Sequence, residues 1–202
     1  MQRVKVVAVG DDGVGKTSLF TTYGDDAFPH DFVAPIQDWC IEVVHESPES
    51  GTEPRPIILA LFDTPGGDKY DSLRPLGYVD TDVFLLCYSV ASRASFDRIA
   101  AKFVPEIDHH GPEGVPRILV GLQADTSDSE RSVTFQDGQA LADSIAAVAF
   151  VEIAAKSHIT SSAQRTHAYP ALTTVPGLIH FAIETAIASQ PSPPPPRKCI
   201  IV

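Results

Sequence analysis

One octapeptide constrains the fold of this chain more than any other feature: Gly10-Asp11-Asp12-Gly13-Val14-Gly15-Lys16-Thr17. It follows an apolar, β-rich run, Val4–Val9, and leads into a helical pattern reaching about Tyr23. Gly10, Gly15, Lys16 and Thr17 complete the pattern G-x-x-x-x-G-K-[ST], and strand, loop and helix come in the order that pattern requires. Glycines let the backbone wrap a phosphate group with its N–H groups pointing inward, at the positive end of the helix that follows. Lys16 is placed to reach the β- and γ-phosphates, and the Thr17 hydroxyl to ligate Mg²⁺. Asp12, Gly13, Val14 and Ser18 belong to the same nucleotide cradle. A glycine-rich turn carrying a solvated lysine would not require loop, strand and helix to agree.

Beyond the loop, apolar runs alternate with helical patterns. Ile41–His45 and Ile57–Asp63 read as strands joined by the turn-rich segment Glu46–Pro56. Val83–Ser89, Ile118–Gly121 and Phe150–Ile153 read as further strands. The unbroken apolar character of Val83–Ser89 and Ile118–Gly121 suits central strands buried on both faces. Helices are expected over Ala94–Ile107 after a Ser92 cap, from Phe135 to about Ala147 after a Thr134 cap, and over Leu178–Ala188. This alternation predicts an α/β domain over residues 1–189, with a mostly parallel sheet covered on both faces. Ligands of such sheets bind beyond the carboxyl ends of the strands, which is where the glycine-rich loop falls. Residues 190–202 form a Pro-rich tail, expected to be extended and mobile.

Composition narrows the partners. A net charge of −11 argues against a broad basic face, so no nucleic-acid partner is expected. No apolar run approaches the ~20 residues that span a bilayer. The start passes straight into a strand-like run, so no cleaved leader is expected. The three cysteines suggest a reducing compartment, and Cys40 and Cys87, in apolar contexts, are expected to be inert core thiols. His109-His110 has no further ligand at metal spacing and reads as a solvated helix end.

Asp63 ends the third predicted strand in Leu61-Phe62-Asp63-Thr64-Pro65-Gly66. A carboxylate at a strand end facing the phosphate loop holds Mg²⁺ through water. With this segment the sequence resembles a Rho-type small GTPase of the Ras superfamily, an atypical one. The match rests on the phosphate loop, on Asp63-Thr64-Pro65-Gly66 with Tyr70-Asp71-Ser72-Leu73-Arg74-Pro75-Leu76, and on Thr81–Ser89 leading to Ala94-Ser95-Phe96. It is good to about residue 125 and looser beyond. The resemblance implies the small-GTPase P-loop fold, a six-stranded sheet with five helices, binding GTP and GDP with Mg²⁺. It implies two switch segments, Phe28–Trp39 and Asp63–Leu76, through which effectors act, with exchange factors and GTPase-activating proteins as further partners of a monomer. Phe28 would pack edge-on against guanine, and Gly66 would meet the nucleotide.

The departures from the family pattern cluster around hydrolysis. Asp12 stands where the family has a second glycine, and a side chain there crowds the attacking water and a partner's arginine finger. Gly67 stands where the family has its water-orienting glutamine, and glycine has no group with which to orient a water. No catalytic residue is therefore assigned. In the first switch, Phe28-Pro29-His30-Asp31-Phe32-Val33-Ala34-Pro35 replaces the family's Phe-Pro-x-x-Tyr-Val-Pro-Thr. Pro35 offers neither hydroxyl nor N–H; a one-residue slip to Ile36 restores only the N–H. Either register senses a γ-phosphate weakly.

Base recognition is mixed. The family's Asn/Thr-Lys-x-Asp reads Leu122-Gln123-Ala124-Asp125. The Asp125 carboxylate can accept from guanine N1 and N2, the Gln123 stem can lie under the base, and Leu122 cannot replace a polar residue. In Glu152-Ile153-Ala154-Ala155-Lys156 the Ala155 N–H would meet guanine O6, with Lys156 beside it. Residues 126–133 are too few for the Rho insert helix, whereas His158–Val175 is a longer polar stretch than the family has and reads as a surface loop.

The chain closes on Cys199-Ile200-Ile201-Val202, which fits a prenylation box. One lipid beside Arg197 and Lys198 gives reversible attachment, so the expected location is the cytoplasmic side of a membrane with a cytosolic pool. The leading expectation is a Rho-like signalling GTPase with slow hydrolysis, more a holder of GTP than a consumer. The alternatives are a non-catalytic binding module that kept the fold, motivated by Pro35, Leu122 and Gln123, and a P-loop protein using ATP, which Asp125 disfavours.

Overall fold

The computed structural model describes residues 2–25, 28–29, 38–45, 55–156 and 174–190. Its six strands are β1 (Gln2–Val9), β2 (Asp38–His45), β3 (Arg55–Asp63), β4 (Val83–Ser89), β5 (Arg117–Leu122) and β6 (Ala149–Ile153). They form one sheet in the order β2-β3-β1-β4-β5-β6. β2 runs antiparallel to β3, and every other pairing is parallel. The sheet is therefore the predicted mostly parallel α/β sheet. Its β1 strand sits between β3 and β4, so the crevice at the carboxyl end of β1 is a topological switch point.

The period-two alternation of the strands sends side chains to two cores. Val6, Ala8, Leu85, Cys87 and Val120 join α1 (Lys16–Asp25) and α5 (Val175–Ser189) on one face. Val7, Val9, Leu86, Tyr88 and Leu119 face the other side. There α2 (Arg93–Arg98), α3 (Val104–His110) and α4 (Phe135–Ser144) cover them. All seven residues of β4 are buried, as expected of a strand covered on both faces.

The predicted caps form. Ser92 Oγ accepts from the Ser95 N–H, and Thr134 with Asp137 makes a reciprocal capping box. Several boundaries differ from expectation for physical reasons. The helical run 93–110 is interrupted by a π-turn, Ile99–Phe103. Pro105, just beyond it, has no N–H to return to the preceding turn, and widening that turn accommodates the ring. α4 stops at Ser144, short of the expected Ala147, and Ala146 then takes a φ of 52°. α5 begins at Val175 rather than Leu178, because Thr174 caps it through the Gly177 N–H, Pro176 suits its first turn and Val175 is buried. Of the surface loop expected over 158–175, Val175 belongs to the helix and residues 158–173 lie outside the described residues.

Among the described residues, two short 3₁₀ turns, Asp68–Tyr70 and Arg74–Tyr78, occupy the second switch segment, where Pro75 and Gly77 disfavour an α-helix. Residues 126–133 form turns leading directly to the Thr134 cap, with no insert helix. Cys40 is a correction: it is exposed, not a core thiol. β2 is an edge strand whose Ile41 and Val43 pack on the core, and Cys40 lies on the opposite side of the pleat. Cys87 is fully buried, and burial pushes its thiol up to about 12. No helix among the described residues is long and apolar enough to cross a membrane.

Candidate nucleotide-binding site

The phosphate loop leaves β1 at the switch point and enters α1 at Lys16. Close packing dictates its first glycine: a Cβ on Gly10 would lie 2.0 Å from the Cys87 carbonyl oxygen of β4. The Lys16 ammonium, almost wholly buried, donates to the Gly10 and Asp11 carbonyls at 2.8 and 2.7 Å. Burial lowers its pKa, and the neighbouring Asp63 carboxylate opposes that shift. The lysine is thus held across its own loop, the position from which it can meet a phosphate chain.

Asp63 ends β3 opposite Ala8 of β1, so the sheet register itself delivers it beside the loop. The Thr17 hydroxyl donates to Asp63 Oδ2 at 2.5 Å. Two hard oxygen donors from different elements therefore converge at the start of α1, a donor set that fits Mg²⁺. Thr64 secures the strand end by donating its hydroxyl to the Ala8 carbonyl. Gly66 then seats its backbone on the loop, where a Cβ would lie 2.2 Å from the Asp12 nitrogen and 2.5 Å from the Gly10 oxygen.

A cleft of about 150 Å³ opens beside this cradle, lined by Val14, Gly15, Ser18, Phe28, Leu122, Gln123, Asp125, Ala155 and Lys156. Apart from Leu122, each is a residue the sequence assigns to nucleotide binding, brought together from four separate segments. Their apolar walls and few polar tips suit a planar base. Gln123 holds a left-handed φ of 60°, accepts from the Ser89 hydroxyl at 2.5 Å and donates to the Gly13 carbonyl at 3.1 Å. It joins the base loop to the phosphate loop without the charge the family's lysine brings. Leu122 is buried and would touch a Cβ on Gly15 at 3.6 Å, so an apolar contact replaces a polar one between the same loops.

Some supporting residues had no signal in the sequence. Arg131 forms a bidentate pair with the buried Glu152 carboxylate, bracing the 126–133 turns against β6. Arg98 of α2 reaches Asp11 of the phosphate loop at 3.1 Å and also pairs with Asp68. Lys102 pairs with Asp68 and Asp71 at 2.5 and 2.7 Å. Partners so distant in sequence meet only through the tertiary fold. His109 and His110 stack edge to face at the exposed end of α3, and no metal-holding cluster occurs among the described residues.

Pro35, Ile36, Cys199 and most of the first switch segment lie outside the described residues; of Phe28–Trp39, residues 38–39 belong to β2. The arrangement defines a P-loop α/β domain in which two oxygen donors, Thr17 and Asp63, meet beside the phosphate loop. The Ras family profile matches residues 5–167, and the chain belongs to the Ras family of small GTPases. Members of that family generally bind GTP or GDP with Mg²⁺, and they generally act with effectors, exchange factors and GTPase-activating proteins.

Proposed function

We propose that this chain is a Rho-like small GTPase that binds GTP and GDP with Mg²⁺, hydrolyses GTP slowly and acts in membrane-associated signalling of the cytoskeletal or polarity type. The observation that carries slow hydrolysis is the pairing of Asp12 with Gly67. Gly67 offers no side chain to orient a water, and a Cβ there would lie 2.7 Å from Asp12 Oδ2, so a carboxylate occupies that space instead. The Rho-like reading rests on the second-switch sequence and on Thr81–Ser89. Exposed Leu73 and Leu76 in that switch suit contact with an effector. Attachment through prenylated Cys199 rests on the terminal sequence alone, and predicts that Cys199→Ser moves the protein to the soluble fraction.

Chromatography of nucleotide released from denatured protein, with single-turnover GTP hydrolysis, tests the reading. Guanine nucleotide should be present, and hydrolysis should run below the roughly 3–5 × 10⁻⁴ s⁻¹ of an ordinary small GTPase. Turnover at or above that rate refutes slow hydrolysis. A second reading, a binding module with no nucleotide switching, is favoured by the apolar Leu122 and uncharged Gln123 in the base site. Protein that purifies empty and shows no Mg²⁺-dependent GTP binding on titration would establish it in place of the first.

A further inference from the structure

Asp12 and Gly67 are separate losses in the sequence; in the structure they share one space. Asp12 Oδ1 accepts the Gly66 N–H at 2.7 Å. Its other oxygen fills the position a Gly67 side chain would need. Gly66 itself is pressed onto the phosphate loop, so the carboxylate, on the solvent-exposed side of the loop, links it to the segment that starts at Asp63. The Asp12 carboxylate is thus a compact anion already bonded to a backbone N–H at the edge of the phosphate cradle. Lys16, Thr17 and Asp63, the residues that would hold a triphosphate and its cation, lie at this same loop, where a terminal phosphate would meet Asp12.

We propose that Asp12 is an internal competitor for the terminal phosphate, making the site selective for a nucleoside diphosphate over the triphosphate. This rests on the Mg²⁺-nucleotide reading above. A diphosphate leaves the Asp12–Gly66 bond intact. A triphosphate must displace a charge-assisted hydrogen bond, worth about tenfold in affinity, and also approach a like charge. Selectivity is an affinity ratio, distinct from the rate at which bound GTP is hydrolysed. It redirects the expectation of a GTP holder: at equal concentrations the site fills with the diphosphate.

Calorimetric titration of nucleotide-free full-length protein with GDP and with a non-hydrolysable GTP analogue, both with Mg²⁺, tests this. The wild type should favour GDP by at least about tenfold. Asp12→Gly should shift the ratio toward the analogue by a similar factor, and Asp12→Asn, which keeps an acceptor but no charge, should shift it partway. Gly67→Ala should shift the ratio in the same direction, because its Cβ takes the carboxylate's space while adding no phosphate ligand. An unchanged ratio in Asp12→Gly overturns the proposal and leaves the nucleotide reading standing. Absence of binding by every variant overturns both. In the nucleotide-free wild type the Gly66 amide should exchange slowly with solvent and in Asp12→Gly rapidly; equal rates also overturn the proposal.

Discussion

Replacing Glu106 by alanine should loosen the second switch segment from its support and lower the stability of the whole domain. The Arg74 side chain is fully buried, and its guanidinium forks onto Glu106 with two 2.8 Å bonds. It also donates to Asp71 at 2.5 Å and to the Pro65 carbonyl at 2.9 Å. The Tyr78 hydroxyl donates to the same Glu106 carboxylate at 2.5 Å. Removing one partner of a buried ion pair costs about 3–5 kcal/mol, because the other charge stays buried without compensation. Asp71 and Pro65 continue to serve Arg74, so the loss should lie near the lower end, about 3 kcal/mol. For a domain of this size each kcal/mol moves Tm by about 2–4 °C, so Tm should fall by about 6–12 °C. Scanning calorimetry of both proteins in the same nucleotide state measures this. A fall below about 2 °C would refute the idea that this pair carries the segment.

The pH dependence carries a sign. Burial raises the Glu106 pKa, but hydrogen bonds from Arg74 and Tyr78 outweigh it and hold the carboxyl below its ordinary 4.5. Its contribution is therefore complete above that value and is lost as pH falls through the lowered folded-state pKa. The gap in Tm between wild type and Glu106→Ala should be full at pH 7 and shrink under acid.

Other tests address other parts of the molecule. Arg131→Ala leaves the buried Glu152 carboxylate without its bidentate partner, and should weaken guanine-nucleotide affinity measured by titration as well as lower Tm; unchanged affinity would show that this brace does not position the base loop. Gly138→Ala, ordinarily stabilising in a helix, should cost about 1–2 kcal/mol, because the added Cβ would lie 2.2 Å from the tip of Phe150 and 2.7 Å from the Tyr88 hydroxyl; a stability gain in denaturant melts would contradict the packing. A thiol reagent applied to folded protein should label Cys40 rapidly and Cys87 only on unfolding, as peptide mass mapping would reveal.

Much of the architecture was legible in the chain, because the signals were local. Val83–Ser89 reads as a doubly buried strand from its composition, and Ser92 and Thr134 announce helix starts by hydroxyl chemistry reaching only three residues ahead. The edges were less legible. Pro105 was visible, but not that the chain would answer it with a π-turn. The exposure of Cys40 depends on β2 being an edge strand, which is a property of sheet order.

The phosphate loop marks the same division. By itself the sequence determined that Gly10, Gly15, Lys16 and Thr17 form a phosphate-binding turn between a strand and a helix, because its requirements lie within eight consecutive residues. Only the tertiary structure decided what Asp12 does within that turn. Its partner Gly66 lies 54 residues away and reaches it because β3 pairs in parallel with β1. Gln123 reaching Gly13, and Arg98 reaching Asp11, come about in the same way. Such contacts depend on where the sheet sets its strand ends, and no local pattern encodes that position.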